Sequence, residues 1–249
     1  MTYFFVSFEN EMWHHIFDVL NKPYEFIVYP SSHNSIYRKI AHVLWKIGIY
    51  IKWDFYGKDF YKKVQSITPN DTIIFFAFFP EPILNVLPWL QSNVRPKIWF
   101  WDSQDVIACS SDSMINHFKK FNIPIVTFDK KDSIKYGLKF LPQFYNFGQK
   151  YENLETQFDC YFLGYSKCDY RRNKLKELER YFIINRISYK FIVVDEDNSK
   201  FIGYKENLNN ISHCKCIVDI EAEGQNGLSL RPMEAMAYGK KIITTNMEI

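Results

Sequence analysis

The segment from Glu223 to Asn246 carries the residue types best suited to chemistry. From Gly227 onward it reads GLSLRPMEAMAYGKKIITTN. Arg231 and the loop amides before it could face a phosphate, because a guanidinium binds phosphate oxygens through two parallel hydrogen bonds. Glu234 could accept both hydrogens of a vicinal diol such as a ribose. The alternative is that Glu234 only complements a helix dipole and that Arg231 is a surface charge.

A second group of basic residues follows the apolar run DCYFLG. Gly164 ends this run, and Lys167, Arg171, Arg172 and Lys174 lead into a charged amphipathic stretch. Backbone N–H groups at the start of a helix attract anions, and arginine adds bidentate phosphate recognition. The segment therefore favours a phosphate or diphosphate, although a solvated helix start with ordinary ion pairs would have the same composition.

Short apolar runs rich in Ile, Val, Phe and Tyr alternate with longer amphipathic or polar stretches. The runs are YFFVSF, YEFIVY, TIIFFAFF, KIWFWD, IPIVTF, DCYFLG, YKFIVV, KCIVDI and KKIITT. Such spacing is typical of buried parallel strands joined by crossover helices, and PEPILNVLPWLQSNVRP is predicted to form one connecting helix. The fold class is therefore α/β with two Rossmann-like domains.

The domain boundary is expected where the pattern becomes polar and irregular, over 141–157. Residues 1–148 would form the first domain and 149–249 the second. In an open parallel sheet, ligands bind beyond the carboxyl ends of the strands. After KCIVDIEAE, a loop over 224–230 would enter a helix over 231–238, with Pro232 and Glu234 in its first turn and Gly239 ending it.

The segment GLSLRPMEAMAYGKKIITTN resembles the donor-site region of GT-B glycosyltransferases, especially bacterial enzymes that build lipopolysaccharide or capsule. A weaker resemblance covers IPIVTFDKKDSIKYGLKFLPQFY and YFLGYSKCDYRR, which are similar to the inter-domain region and the first strand of the donor domain. The resemblance implies transfer of a sugar from a nucleotide-sugar to a cell-surface glycan, such as lipopolysaccharide, O-antigen or capsule. It implies no required cofactor beyond the nucleotide-sugar substrate.

The same resemblance assigns roles to residues of this chain. Glu234 would hold the nucleotide ribose, and Arg171 and Arg172 would hold the diphosphate. With the loop and strand-end positions, the expected donor-binding residues are Gly164, Arg171, Arg172, Asn226, Gly227, Ser229, Arg231 and Glu234.

The chain departs from the family pattern in two respects. Many retaining GT-B enzymes carry a first glutamate ahead of the ribose-binding one, but here Asn226 stands eight positions before Glu234 and Glu223 is out of register. Inversion or retention is therefore left open. The chain also ends soon after the motif, so the resemblance implies an acceptor-side first domain and an incomplete, truncated second domain.

Catalysis is weakly marked in the sequence. An inverting transfer needs a general base at the acceptor hydroxyl. Asp102 is the first choice among the polar residues at strand ends in the first domain. The others are Asp105, Glu9, Glu11, His14 and His15.

Two other functions fit the sequence. Asp195 and Asp197 form a D-x-D after a strand, which could hold a divalent metal ion on a diphosphate as in GT-A transferases. A truncated chain could instead be a non-catalytic nucleotide-binding or scaffolding protein of a polysaccharide assembly system. A zinc site at Cys214 and Cys216 is not expected, because no second ligand cluster completes it, and two thiols on one strand face are favoured instead.

Composition limits the partners and the location. A net charge of +3 and the lack of a nucleic-acid motif disfavour nucleic acid. No signal peptide or apolar run of about 18 residues is present, so a cytoplasmic location is expected. The basic, aromatic segment 37–64 could lie on an anionic membrane surface, or it could be a helix that buries its apolar face in the core.

Overall fold

The structure is a computed structural model in which the chain forms two compact units. The first comprises Met1–Glu9, Leu20–Thr127 and Asp132–Leu141, and the second comprises Asn10–Val19, Phe128–Lys131 and Pro142–Ile249. The residues that the structure describes are 1–7, 11–18, 20–30, 40, 43–44, 47, 49, 52–77, 80–101, 111–147, 152, 154–165, 169–194, 201–223, 225, 227–247 and 249.

Strands and helices alternate along both units. The strands are β1 (Tyr3–Ser7), β2 (Tyr24–Val28), β3 (Thr72–Ala77), β4 (Pro96–Phe100), β5 (Ile125–Thr127), β6 (Lys139–Phe140), β7 (Phe158–Tyr165), β8 (Tyr189–Val194), β9 (Cys214–Asp219) and β10 (Lys241–Thr244). The helices are α1 (Glu11–Phe17), α2 (Lys58–Gln65), α3 (Pro80–Val86), α4 (Ser111–Lys120), α5 (Lys130–Tyr136), α6 (Asp169–Ile184), α7 (Tyr204–Ser212) and α8 (Leu230–Ala237).

The first unit is built on a six-stranded sheet in the order β2-β1-β3-β4-β5-β6, and every strand pair in it is parallel. The central strands are apolar on both faces, as strands covered on both sides must be. Val6, Phe75 and Ile98 are fully buried in one core cluster. Helix α2 adds Phe60 and Tyr61 to that core.

The second unit is built on a four-stranded parallel sheet in the order β10-β9-β7-β8. On one face, Phe162 of β7 packs with Leu175 and Phe182 of α6. On the other face, Tyr161 of β7 packs in a cluster that includes Ile211 of α7 and Ala235 of α8. Helices thus cover both faces, which is an arrangement compatible with a Rossmann-like fold.

The α/β class and the parallel strands are confirmed. Each predicted apolar run overlaps a strand, and the stretch predicted as a connecting helix forms α3 and a 3₁₀ turn at Leu87–Trp89. The two-residue strand β6 was not predicted. The domain boundary at 148 stays a prediction and falls outside the described residues.

Cys214 and Cys216 are both buried but pack in different clusters, so the prediction that their thiols share one face is wrong. Cys214 is the first residue of β9, and its thiol donates back to the Ile211 carbonyl at the end of α7.

The segment 37–64 is described in part. Its last part forms most of α2, where Phe60, Tyr61 and Val64 are buried, as expected for a helix packed on the core. Several residues before α2 are apolar and exposed, namely Ile40, Val43, Ile47 and Ile49. Among the residues that the structure describes, no helix is both long and apolar enough to cross a membrane.

Candidate functional site

The candidate site lies in the second unit, at the carboxyl ends of β7 and β9. From β7 the chain passes through α6 to β8, which pairs with one edge of β7. From β8 it then passes through α7 to β9, which pairs with the opposite edge of β7. The order of the strands therefore reverses between β7 and β9. In open parallel sheets a crevice for ligands forms at this point.

The start of α8 is fixed at this edge by Ser229. The Ser229 hydroxyl accepts a hydrogen bond from the Arg231 amide (3.2 Å) and donates to Oδ1 of Asp219 at the end of β9 (2.9 Å). Serine is a favoured helix cap because its oxygen satisfies an amide that has no partner within the helix. Gly239 follows the helix with a φ of 60°, a conformation that glycine adopts without steric cost.

The helix predicted over 231–238 is confirmed to within one residue at each end. The prediction that Glu234 lies in its first turn is wrong. Because Ser229 caps the helix and Leu230 begins it, the first turn holds no acidic residue. Glu234 lies one turn further along and points into the unit, where it is 4% exposed. A role as a helix-start charge therefore does not fit its position.

Arg231 is neither a surface charge nor directed freely into solvent. Its Nη1 lies 2.9 Å from Oδ1 of Asp219, and its Nε and Nη2 donate to the Leu163 carbonyl at 3.1 and 2.7 Å. The guanidinium also lies over the ring of Phe162. The side chain ties α8 to β7 and β9, so that these three elements share one edge. The phosphate role of Arg231 stays a prediction.

Gly164 is at this edge because a larger residue does not fit there. A Cβ atom at this position would collide with the Arg231 guanidinium. Gly227 is similarly confined, since a Cβ atom would enter the ring of Phe128. The Gly227 amide donates to Oδ2 of Asp129 at 3.0 Å. Both glycines leave room for side chains of neighbouring segments, the Arg231 guanidinium at Gly164 and the Phe128 ring at Gly227.

The two arginines after β7 differ in their surroundings. Arg171 is buried, and its Nε and Nη1 donate to the carbonyls of Ile220 (2.8 Å) and Tyr165 (2.6 Å). Arg172 is on the outside of α6 and forms an ion pair with Asp169 at 2.9 Å. Arg171 thus helps to shape the β7–β9 edge. The diphosphate role of both arginines stays a prediction.

Glu234 is one of the buried carboxyl groups of the candidate site. Its Oε1 accepts a hydrogen bond from Nδ2 of Asn207 at 3.2 Å, and its carboxyl is also hydrogen bonded to the Tyr204 side chain. Burial raises the pKa of Glu234, whereas the Tyr204 hydrogen bond, the Arg231 charge and the Asn207 hydrogen bond lower it.

Sequence reasoning missed Glu221, which follows β9. Burial, together with the nearby carboxylates of Asp219 and Asp129, raises the pKa of Glu221 to about 7. The Arg171 charge and a hydrogen bond with Asn246 act in the opposite direction. The rule that ligands bind after strand ends would have found Glu221, because it comes two residues after the last residue of β9.

Asp219, Asp129, Asn207 and Tyr204 were also missed. They reach the site from separate segments of the chain, and no local spacing links them. Their roles become visible only through their contacts with Arg231, Gly227 and Glu234.

Several predicted residues lie outside the described part of the chain. They are Asn226 of the donor-binding set, Lys167 of the basic group after DCYFLG, Asp102, Asp105 and Glu9 of the candidate bases, and Asp195 and Asp197 of the D-x-D. Among the other candidate bases, Glu11 accepts a hydrogen bond from the Lys205 amide at 3.0 Å. His15 packs against the rings of Tyr145 and Tyr204, and burial lowers its pKa.

Among the described residues, no group of three or more His, Cys, Asp or Glu side chains could hold a metal ion. Comparison of the chain with protein-family models and with curated proteins finds no match. The chemistry of the candidate site is therefore argued from its own residues.

Proposed function

We propose that this protein is a glycosyltransferase that moves a sugar from a nucleotide-sugar to a cell-surface glycan, with the nucleotide at the carboxyl ends of β7 and β9. The observation that carries the proposal is the reversal of strand order at this edge, where Gly164, Arg231 and the start of α8 come together. The resemblance of residues 227–246 to a GT-B donor site supports the same assignment.

The diphosphate would approach the loop at Gly227 and the first turn of α8. The amide groups at the start of a helix have no partners within it, and the helix dipole adds partial positive charge there. The Arg231 charge is balanced by Asp219, and the amides of Gly227 and Arg231 already donate to Asp129 and Ser229. The attraction would therefore come from the helix dipole and from the remaining amides of the loop. Gly164 makes room for the Arg231 guanidinium at the end of β7, so that this charge would lie at the proposed diphosphate site.

The ribose would bind at Glu234. The Tyr204 side chain is already hydrogen bonded to this carboxyl group. A ribose hydroxyl is chemically similar, so ribose binding would exchange one hydroxyl partner of Glu234 for another. Because Tyr204 is only partly buried, displacement of its side chain toward solvent would give the ribose access.

The general base is proposed to be Asp102, which follows the apolar run KIWFW in the sequence. It would accept the proton of the acceptor hydroxyl, which makes that oxygen a better nucleophile. The proposal requires no metal ion. Substitution of Asp102 by Asn should therefore abolish transfer while nucleotide binding is retained.

A thermal-shift panel of UDP, GDP, CMP and their sugars tests the nucleotide part of the proposal. A ligand that binds only the folded state raises the melting temperature with concentration. The rise should be smaller at a given nucleotide concentration in Glu234→Ala and unchanged in Glu223→Ala, which alters an exposed carboxylate outside the site. The absence of a shift with every nucleotide would contradict the proposal. Binding without sugar transfer would instead favour a non-catalytic role in polysaccharide assembly.

We also propose that the segment 37–64 attaches the protein to an anionic membrane surface. Its exposed aliphatic side chains include Val43 and Ile47, which are 60% and 66% exposed. Lys52 follows them and lies over the Trp89 ring. Apolar side chains that enter the headgroup region and lysines that attract anionic lipids act together in interfacial segments.

A further inference from the structure

A chain of hydrogen bonds leads from the outer strand β8 to the Glu234 carboxyl group. Nζ of Lys190 donates to Oδ1 of Asn210 at 2.8 Å. Nδ2 of Asn210 donates to the Tyr161 hydroxyl at 3.4 Å, and this hydroxyl donates to Oδ1 of Asn207 at 3.0 Å. Nδ2 of Asn207 then donates to Oε1 of Glu234 at 3.2 Å. Every member belongs to the second unit.

The direction of this chain is determined by its first member. A lysine ammonium can only donate, so it requires the amide oxygen of Asn210 and leaves the amide nitrogen to donate onward. Tyr161 has one hydroxyl proton, which it gives to the oxygen of Asn207. Asn207 is thereby oriented with its N–H group toward Glu234.

The interior of the chain is shielded from water. Tyr161, Asn207 and Asn210 are all buried, as is Glu234. In such surroundings a hydrogen bond to a charged group is stronger than in water, and an unmade one is costly. Asn207 therefore stabilises the ionised form of Glu234, which can only accept hydrogen bonds.

We propose that Asn207 is a positioning residue that holds the Glu234 carboxylate ready to accept hydrogen bonds from a ribose. In this proposal Lys190 determines the donor-to-acceptor direction of the hydrogen bonds that lead to Asn207 and Glu234. This inference rests on the proposed function, because the ribose at Glu234 belongs to it. The spacing of residues in the amino-acid sequence does not link Lys190 to the candidate site.

Other groups also act on Glu234. Burial is the largest influence and raises its pKa, and the Asp219 charge acts in the same direction. The Tyr204 hydrogen bond and the Arg231 charge lower it, and the effect of Asn207 adds to theirs. The Tyr161 hydroxyl contacts Asn207 and does not itself donate to Glu234.

A titration without nucleotide tests the positioning directly. The carboxyl carbon of Glu234 is followed by ¹³C NMR against pH and is assigned by its loss in Glu234→Gln. In Asn207→Leu, which keeps the branched shape of the side chain and removes its polar atoms, the pKa of Glu234 should rise. Lys190→Met should raise it less, and Lys176→Met on the exposed side of α6 should leave it unchanged. An unshifted pKa in both Asn207→Leu and Lys190→Met would overturn the proposal.

Nucleotide affinity is the second measurement. Asn207→Leu should weaken binding about 10-fold, the effect of losing one hydrogen bond to a charged group. In the Glu234→Ala background the same change should have no further effect, because Asn207 acts through Glu234. Equal losses in both backgrounds would show a general structural effect and contradict positioning. If the wild-type protein binds no nucleotide, the proposed function fails, while the titration still decides whether Asn207 and Lys190 act on Glu234.

Discussion

At the residue scale, the ion pair between Arg231 and Asp219 is the interaction on which the candidate site depends most. The Asp219 side chain is fully buried and that of Arg231 is 17% exposed. Removing one partner of a buried pair leaves the other charge without compensation. The intact pair contributes little net free energy to folding, whereas removal of one partner is strongly destabilising.

Arg231→Met should lower the free energy of unfolding by about 3–5 kcal/mol. Arg172→Met is the matched control, since its ion pair with Asp169 is exposed and such pairs contribute about 0–1 kcal/mol. Urea unfolding of both variants measures the difference. Similar losses in the two variants would show that Arg231 does not hold β7, β9 and α8 together.

Glu221 gives the site a pH dependence whose sign follows from its raised pKa. The folded state holds the Glu221 proton up to about pH 7, whereas the unfolded chain releases it near the ordinary value of 4.5. Stability should therefore fall as the pH rises between these values and remain reduced above them. Glu234 contributes a decline of the same sign, because its pKa is also raised.

The variant Glu221→Gln isolates the contribution of Glu221. Relative to the wild type, it should gain stability as the pH rises from 4.5 to 8. The gain should be about 1 kcal/mol, because solvent reaches part of the side chain and screens the charges. Melting curves at several pH values measure it. A difference that is constant with pH would contradict the raised pKa of Glu221.

At the element scale, the loop before α8 is confined by packing. An alanine at Gly227 would push into the Phe128 ring, so Gly227→Ala should cost about 1–3 kcal/mol. An alanine at Gly203 would approach only the flexible end of Glu11, so Gly203→Ala should cost less. Chemical denaturation compares the two. A smaller loss of stability for Gly227→Ala than for Gly203→Ala would show that the loop can move to accommodate a Cβ atom at position 227.

Local sequence patterns were sufficient to predict most of the elements. Apolar runs mark the strands because parallel strands are buried on both faces. Helix α8 was predicted almost to the residue, since Gly239 ends it. The two residues of β6 are too few to form a pattern. The error for Glu234 arose because the cap at Ser229 starts the helix one residue earlier than the composition suggests.

The candidate site was only partly predictable. Gly164, Gly227, Ser229, Arg231 and Glu234 stand out as unusual residues next to strand ends, and all of them belong to the second unit. The contacts that orient them are long-range. Asp219 binds Arg231, and Asn207 binds Glu234, across intervals that no local periodicity connects.

At the scale of the whole molecule, the membrane proposal predicts binding to anionic vesicles. The double variant Val43→Ser, Ile47→Ser should bind more weakly, because it removes exposed aliphatic side chains. Binding should also weaken as salt screens the lysines. Ile183→Ser, Ile184→Ser is the matched control, since it removes two exposed aliphatic side chains from α6 in the second unit. Equal binding to neutral and anionic vesicles would contradict the proposal.

The central claim is that a nucleotide-sugar binds where β7, β9 and α8 meet. The most direct test is an amide ¹H–¹⁵N NMR titration of the intact protein with UDP, GDP and CMP. One nucleotide should shift the amides of Gly164, Gly227 and Arg231 in a saturable way, while the amides of β2 in the first sheet stay unchanged. Saturable shifts confined to residues away from this edge, or no shift with any nucleotide, would contradict the claim.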